Sequence, residues 1–421
     1  MRVQVRYSRL SPKTREASKE QIVDFPTQFS GPGKMAASSA GVGGFDMRDW
    51  LSPRRLTMVM WDQAFLLRHI PGGSYEDYDK VLDETIERGY NTLRLDPMPQ
   101  WLDLSKPETV LWWPDPKQPY MPWGWNTEVE GPVGEWLIEF MEKVQARGLH
   151  YTLSAWWFGN QNERLKMLRY PKTHTEAAEI WVTTLEQWKR RFGFEGLVYV
   201  DITNEIPYFL GGFCKRFEQD TGGPWDGPAV FTPEQVQYLT DELNPAIALL
   251  QKEFPELRFT GSIHGDTRWL TVPVEFDCLD VHFYSDADNR WNSRTRFREF
   301  MKILFTDASW RKEFSDRCIK THKAMAPMFR ARQRQKLAQF AAWAEQRGMP
   351  LTTTESWSSW YYFDSPDLDW GWLLDWAEWS VEDAIEFGMW GWTPHNYCQP
   401  QFRNWKDVKW HQRLTSRFLR S

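Results

Sequence analysis

Apolar and polar positions fall into a repeating order from about residue 50 onward. Eight short runs read as strands: LTMVMW (56–61), NTLRL (91–95), HYTLSAW (150–156), GLVYVDIT (196–203), LRFTGSI (257–263), CLDVHFY (278–284), PLTTTE (350–355) and GMWGW (388–392). Helical patterns lie between most of them. Val133, Trp136, Leu137, Phe140, Met141 and Val144 recur at steps of three and four, which is one apolar helix face. Thr232-Pro233-Glu234-Gln235 reads as an N-cap, a proline at the first helical position and a capping-box glutamine. Strand–helix alternation predicts an α/β fold. Eight repeats without a glycine-rich phosphate motif favour a closed (β/α)8 TIM barrel over a doubly wound sheet.

Four long irregular segments, 97–131, 206–231, 285–320 and 356–369, each follow a strand and precede a helix. They are long βα loops, and in a barrel all such loops gather at the C-terminal face, where the active site lies. The first contains Trp101, Trp112, Trp113, Trp123 and Trp125. An indole face suits either of two tasks there: packing against the axial C–H groups of a sugar ring, or stapling the loop to the barrel.

Composition changes this picture at a few points. The 421 residues suffice for one barrel with long loops, and 27 tryptophans exceed what a core of this size calls for. A net charge of −6 without a basic block argues against a nucleic-acid partner. No apolar run reaches the ~18 residues of a membrane span. Residues 1–45 are polar and basic, then small (FSGPGKMAASSAGVGGF), which predicts a flexible N-terminal arm before a single catalytic barrel domain over 50–421. With no apolar segment before the small residues, the literal expectation is a cytoplasmic protein; a misassigned start would hide an export signal. Cys214, Cys278, Cys318 and Cys398 are widely spaced and read as free thiols, with one long-range bridge left open.

Two carboxylates stand at strand ends in polar company. Glu205 closes GLVYVDITNE and Glu355 closes PLTTTE. At the C-terminal ends of the fourth and seventh strands they would face each other across the barrel mouth. Two carboxyls ~5–5.5 Å apart cleave a glycosidic bond with retention: one attacks the anomeric carbon and the other protonates the leaving oxygen.

These motifs in this order resemble a clan A glycoside hydrolase, closest in pattern to the family 5 cellulase-like proteins. The resemblance covers roughly residues 50–410. It implies that Glu205 is the general acid/base and Glu355 the nucleophile. It implies that Asn204 binds the 2-hydroxyl of the sugar, and that Arg94 in GYNTLRLDP steadies the nucleophile. His282 and Tyr284 match a His-x-Tyr on strand six, their spacing of two putting both on one strand face. Trp392, or else Trp390, matches the tryptophan that floors the cleavage subsite. Trp156 and Trp157 straddle the two faces at the end of strand three, so at most one reaches the sugar, and Trp157 is the candidate. One departure stands out: SAWWFGNQNER lacks the histidine usual near the third strand, which bears on substrate more than on reaction class.

The expected activity is therefore retaining hydrolysis of a β-linked glycoside, with a carbohydrate partner and no cofactor. A transglycosylase would share every one of these residues. A non-catalytic carbohydrate-binding barrel would keep the tryptophans and lose a carboxylate. No metal is expected, because none of the eight histidines forms a His-x-His or His-Glu-x-x-His spacing.

Overall fold

A computed structural model describes residues 51–114, 124–157, 170–226, 230–357, 359 and 361–421. The expected arm over 1–45, Trp123 and the whole NQNER stretch lie outside the described residues. Each of the eight predicted runs contains a strand: β1 (Leu56–Asp62), β2 (Thr92–Leu95), β3 (His150–Leu153), β4 (Leu197–Asp201), β5 (Phe259–Thr260, resuming as Ile263–His264), β6 (Leu279–Tyr284), β7 (Leu351–Thr352, resuming as Ser356–Trp357) and β8 (Gly391–Trp392).

All neighbouring strands of this ring are parallel. Met60 of β1 pairs with Arg94 of β2, Arg94 with Thr152 of β3, and Leu153 with Val200 of β4. Val200 then pairs with Phe259 of β5, His264 with His282 of β6, and Leu279 with Leu351 of β7. The ring closes where the Trp390 N–H donates to the Leu351 carbonyl at 2.7 Å and Leu56 pairs with Gly391. The fold is the expected (β/α)8 barrel.

Two strands are interrupted for a visible reason. Between the halves of β5, the Ser262 N–H donates to Asp201 Oδ1 (2.8 Å), and beyond the first half of β7 the Thr354 N–H donates to Asp280 Oδ1 (2.9 Å). Carboxylates from adjacent strands take the place of ladder carbonyls, so the backbone stays satisfied while it turns.

Helices pack outside the ring: α1 (Tyr78–Glu87), α2 (Val133–Ala146), α3 (His174–Phe192), α4 (Pro233–Glu253), α5 (Arg311–Arg347), α6 (Gly371–Glu386) and α7 (Val408–Leu419). On α2 the predicted apolar face is buried at every position except half-buried Trp136. The expected capping box forms at α4, with Thr232 Oγ1 accepting from the Gln235 N–H and the Gln235 side chain accepting from the Thr232 N–H. The step from β5 to β6 holds only the 3-10 turn Thr267–Thr271. The four cysteines are free, three of them buried. No described helix is long and apolar enough to cross a membrane.

Candidate active site

The chain turns sharply where β4 ends. Glu205 adopts φ 47°, a left-handed conformation that costs a non-glycine residue about 1–3 kcal/mol. Three bonds hold the turn: the Asn204 N–H to the Ala155 carbonyl, the Glu205 N–H to Ser262 Oγ, each 2.9 Å, and Ser262 Oγ to Asp201 Oδ2 at 2.8 Å. The result aims the Glu205 carboxyl at β5 and β6. His264 Nε2 lies 2.9 Å from its Oε2, and His282 Nδ1 lies 3.0 Å from its Oε1.

The tautomer of His282 follows from its neighbours. The single hydroxyl proton of Thr354 goes to Asp280 Oδ2 (2.8 Å), so His282 Nε2 donates to Thr354 Oγ1 at 3.1 Å. Burial pushes the His282 imidazole down, but Glu355, Glu205 and Asp280 outweigh it and raise it to about 9. Burial likewise pushes the Glu205 carboxyl up, yet His264 and His282 together hold it well below the usual carboxylate range. His264 is raised in turn by Glu205, against the effect of its own burial. Protons in this cluster rest on the imidazoles.

Glu355 has different company. Arg94 Nη1 lies 2.5 Å from its Oε1, and the Tyr284 hydroxyl donates to its Oε2. Arg94 is fully buried, and its other contacts are Asn204 Oδ1, Ser154 Oγ at 3.2 Å, and Asp62 at 2.9 Å, out of line for a hydrogen bond. One guanidinium does not neutralise every carboxyl around it. Burial raises Asp62 well above the ordinary range, and brings Asp201 to about 6 and Asp96 to about 7.

Ligand atoms of Glu205, His282 and Glu355 all lie within 4.8 Å of one another. Arg94 sits on Glu355 and His264 on Glu205, so each carboxylate already has a basic partner.

The structure thus brings together Arg94, Asn204, Glu205, His282, Tyr284 and Glu355. It does not bring the three candidate tryptophans with them. Trp392 points outward from the barrel, donating its indole N–H to Ser380 Oγ on α6 (2.7 Å) and packing on Phe418 of α7. Trp390 sits at the opposite end of the lumen against Leu56, Met58, Tyr199 and Cys278. Trp157 turns toward α3, beside Trp181, with its N–H on the Ile202 carbonyl at 3.0 Å. Its neighbour Trp156 takes the inner place, its ring centre 5.9 Å from the Arg94 guanidinium. In the second βα loop Trp101 meets Trp113 edge-on at 5.8 Å, Trp112 donates to Glu128 and Trp125 to the Pro114 carbonyl. Those contacts staple the loop.

Sequence reasoning missed Asp62, Ser154, Asp201, Ser262, His264 and Thr354. Asp62 and His264 each come one residue after a strand run, the same polar-after-apolar signal that flagged Glu205.

Comparison with known proteins bears on the family and the fold. The model of the cellulase-like family, described as sugar-binding cellulase-like, matches residues 58–419. The chain belongs to that family of sugar-binding, cellulase-like proteins. It is similar to a solved "putative glycoside hydrolase" from Parabacteroides distasonis ATCC 8503, at 27% identity and a TM-score of 0.73, over 86% of this chain and 93% of that one. It also aligns with the hyperthermophilic endocellulase of the archaeon Pyrococcus horikoshii (12% identity, TM-score 0.47, 86% and 92% covered). A third alignment is with the catalytic domain of the major endoglucanase of Xanthomonas campestris pv. campestris (11%, 0.44, 86% and 95%). No curated protein matches the chain.

Proposed function

We propose that this protein is a retaining β-glycoside hydrolase in which Glu355 is the nucleophile and Glu205 the general acid/base. The observation that carries the reading is the closeness of the two carboxylates, with an oxygen of each within 4.8 Å. That is near the ~5–5.5 Å of retaining enzymes and leaves no room for the water an inverting enzyme places between base and sugar at ~6.5–9.5 Å.

Their surroundings divide the roles. Arg94 and Tyr284 fix both oxygens of Glu355, an orientation that suits attack on the anomeric carbon. As the C1–O bond breaks, the leaving oxygen takes a proton from Glu205, which draws on the store held by His264 and His282. In the second half Glu205 removes a proton from water, the water oxygen bonds to C1, and the Glu355 ester bond breaks. Asn204, whose Oδ1 is fixed by Arg94, turns an unpartnered Nδ2 toward the bound sugar.

Two substitutions test the assignment. Glu205→Ala should still form the glycosyl-enzyme from substrates with good leaving groups, and added azide should rescue turnover to a product of retained configuration. Glu355→Ala should lose about 10^4-fold or more for every leaving group, with azide restoring only an inverted product. Near-normal hydrolysis by Glu355→Ala would overturn the assignment.

A further inference from the structure

Just past β8 the chain makes a 3-10 turn, His395–Cys398, whose first residue has no explanation in the packing. His395 is fully buried, and neither of its ring nitrogens has a hydrogen-bond partner among the described residues. A neutral imidazole carries one donor and one acceptor, and leaving a buried group of this kind unmade costs about 1–3 kcal/mol. Burial pushes this imidazole well below the ordinary range, and the positive charges of His282 and Arg94 push the same way, so charging it offers no relief.

The backbone holds the ring in place at further cost. His395 has φ 53°, a left-handed conformation. Its N–H donates to Thr393 Oγ1 (3.1 Å), and its carbonyl accepts from Cys398 Sγ. Cys398 and Gln399 are tied to β1: the Met60 N–H donates to Cys398 Sγ (3.2 Å), Trp61 Nε1 to the Cys398 carbonyl (3.0 Å), and Gln399 Nε2 to the Met60 carbonyl. The imidazole stands edge-on to Tyr284, ring centres 5.5 Å apart, on the tyrosine that holds Glu355. A strained, fixed and unpartnered hydrogen-bonding group against the tyrosine that holds Glu355 is what a ligand contact looks like without its ligand.

We infer that His395 is a substrate-binding residue whose imidazole hydrogen-bonds a hydroxyl group of the sugar ring presented to Glu355. The inference rests on the proposed placement of the sugar at Glu355. It adds a specificity contact from the turn after β8, where the family resemblance had pointed to a stacking tryptophan on the strand instead. The site then recognises this ring by hydrogen bonds from His395 and Asn204, and a sugar lacking the matching hydroxyl is rejected because both nitrogens stay unmade.

The test pairs two variants with trimmed substrates. His395→Phe keeps the ring shape and removes both nitrogens; His395→Asn keeps a donor and an acceptor and tolerates the left-handed backbone. Binding of cellobiose, mannobiose and xylobiose is measured by calorimetry. Values of kcat/KM are measured for p-nitrophenyl β-glycosides and their singly deoxygenated forms. Wild-type protein should lose about ten-fold when one particular hydroxyl is deleted. His395→Phe should lose about as much on the parent sugar and nothing more on that deoxy sugar, while His395→Asn keeps most of the discrimination. The unliganded His395→Phe protein should melt no lower than wild type, since it has lost two unmade groups. Parent-like binding and deoxy profiles in His395→Phe would overturn the inference, as would a drop in Tm with no hydroxyl-selective effect. Sugar binding with this signature alongside full hydrolysis by Glu355→Ala would remove the mechanism and leave His395 standing. Wild-type protein that neither binds nor cleaves any of these sugars would remove both.

Discussion

The two ends of the barrel lumen solve the same problem in opposite ways. At the N-terminal end Leu56, Met58, Tyr199, Cys278 and Trp390 fill the space, all nearly without exposure, and Trp390 settles its one polar atom on the Pro53 carbonyl at 2.9 Å. At the C-terminal end the same strands present Asp62, Arg94, Asp201, Glu205, His264, His282 and Glu355, six of them buried and His264 half-buried. The first arrangement is favourable as it stands. The second gathers charges whose burial raises carboxyls and lowers imidazoles until they lean on one another. Apolar packing is concentrated at one end and buried charge at the other, within a few residues along β1, β4 and β6.

The strongest way to break this contrast is Arg94→Met. It removes the one guanidinium among Asp62, Asp201 and Glu355, so both properties should fall together: activity by ~10^3-fold or more, and stability by about 3–5 kcal/mol as buried acids lose their counter-charge. Kinetics and urea unfolding on one preparation check it. Activity near wild type would mean that Glu355 is organised without Arg94.

Trp390→Ala probes the other end. Emptying the apolar plug should cost about 3–5 kcal/mol of stability. The folded protein should keep kcat/KM within about two-fold, because Trp390 packs at the opposite end of the lumen from Glu205 and Glu355. A large loss of activity at full folding would show the two ends to be coupled.

The ends also differ in how far they were readable from sequence. Strand existence and order were legible because apolar runs repeat with polar residues at their ends. Glu205 and Glu355 followed from that pattern, while Arg94, Asn204, His282 and Tyr284 came from the family resemblance. The tryptophans misled because facing direction depends on local geometry. A Cβ on Gly391 would stand 2.1 Å from Thr352 Oγ1 and 2.6 Å from Met58 Cε, so the glycine faces the lumen and Trp392 is turned out. Trp157 has φ 45°, and β3 ends at Leu153, so strand alternation no longer assigns its side. His264 was hidden by the break at Gly261–Ser262, whose bonds to Asp201 no period-two pattern reveals. His395 lies past the last strand, where strand reasoning stops.

A smaller effect sharpens the comparison through two buried histidines. At the mouth, His282 is raised to about 9; under the outer helices, burial takes His411 down to about 3, with Tyr90 and the Asn404 carbonyl as its neutral partners. His282 gains a charge partner on folding. Its stabilisation is complete below the ordinary value of ~6.5 and is lost as pH rises through about 9. His411 has the opposite sign: the unfolded chain takes up the proton first, so stability is lost as pH falls below ~6.5 toward about 3. Thermal melts across pH should show His282→Gln flattening the alkaline slope and His411→Gln flattening the acid slope. The reverse pattern would mean that these two environments have been exchanged in the account.

The most direct measurement is covalent. The protein is incubated with the 2-deoxy-2-fluoro glycosyl fluoride of whichever panel sugar it cleaves fastest, then digested, and the labelled peptide is read by mass spectrometry. The fluorine slows release of the glycosyl-enzyme more than its formation, so the intermediate accumulates. The account predicts one label per chain, on Glu355, and the same label at Glu355 in Glu205→Ala when the leaving group is good. A label on Glu205 or elsewhere, or turnover giving an inverted product with no label at all, would contradict it.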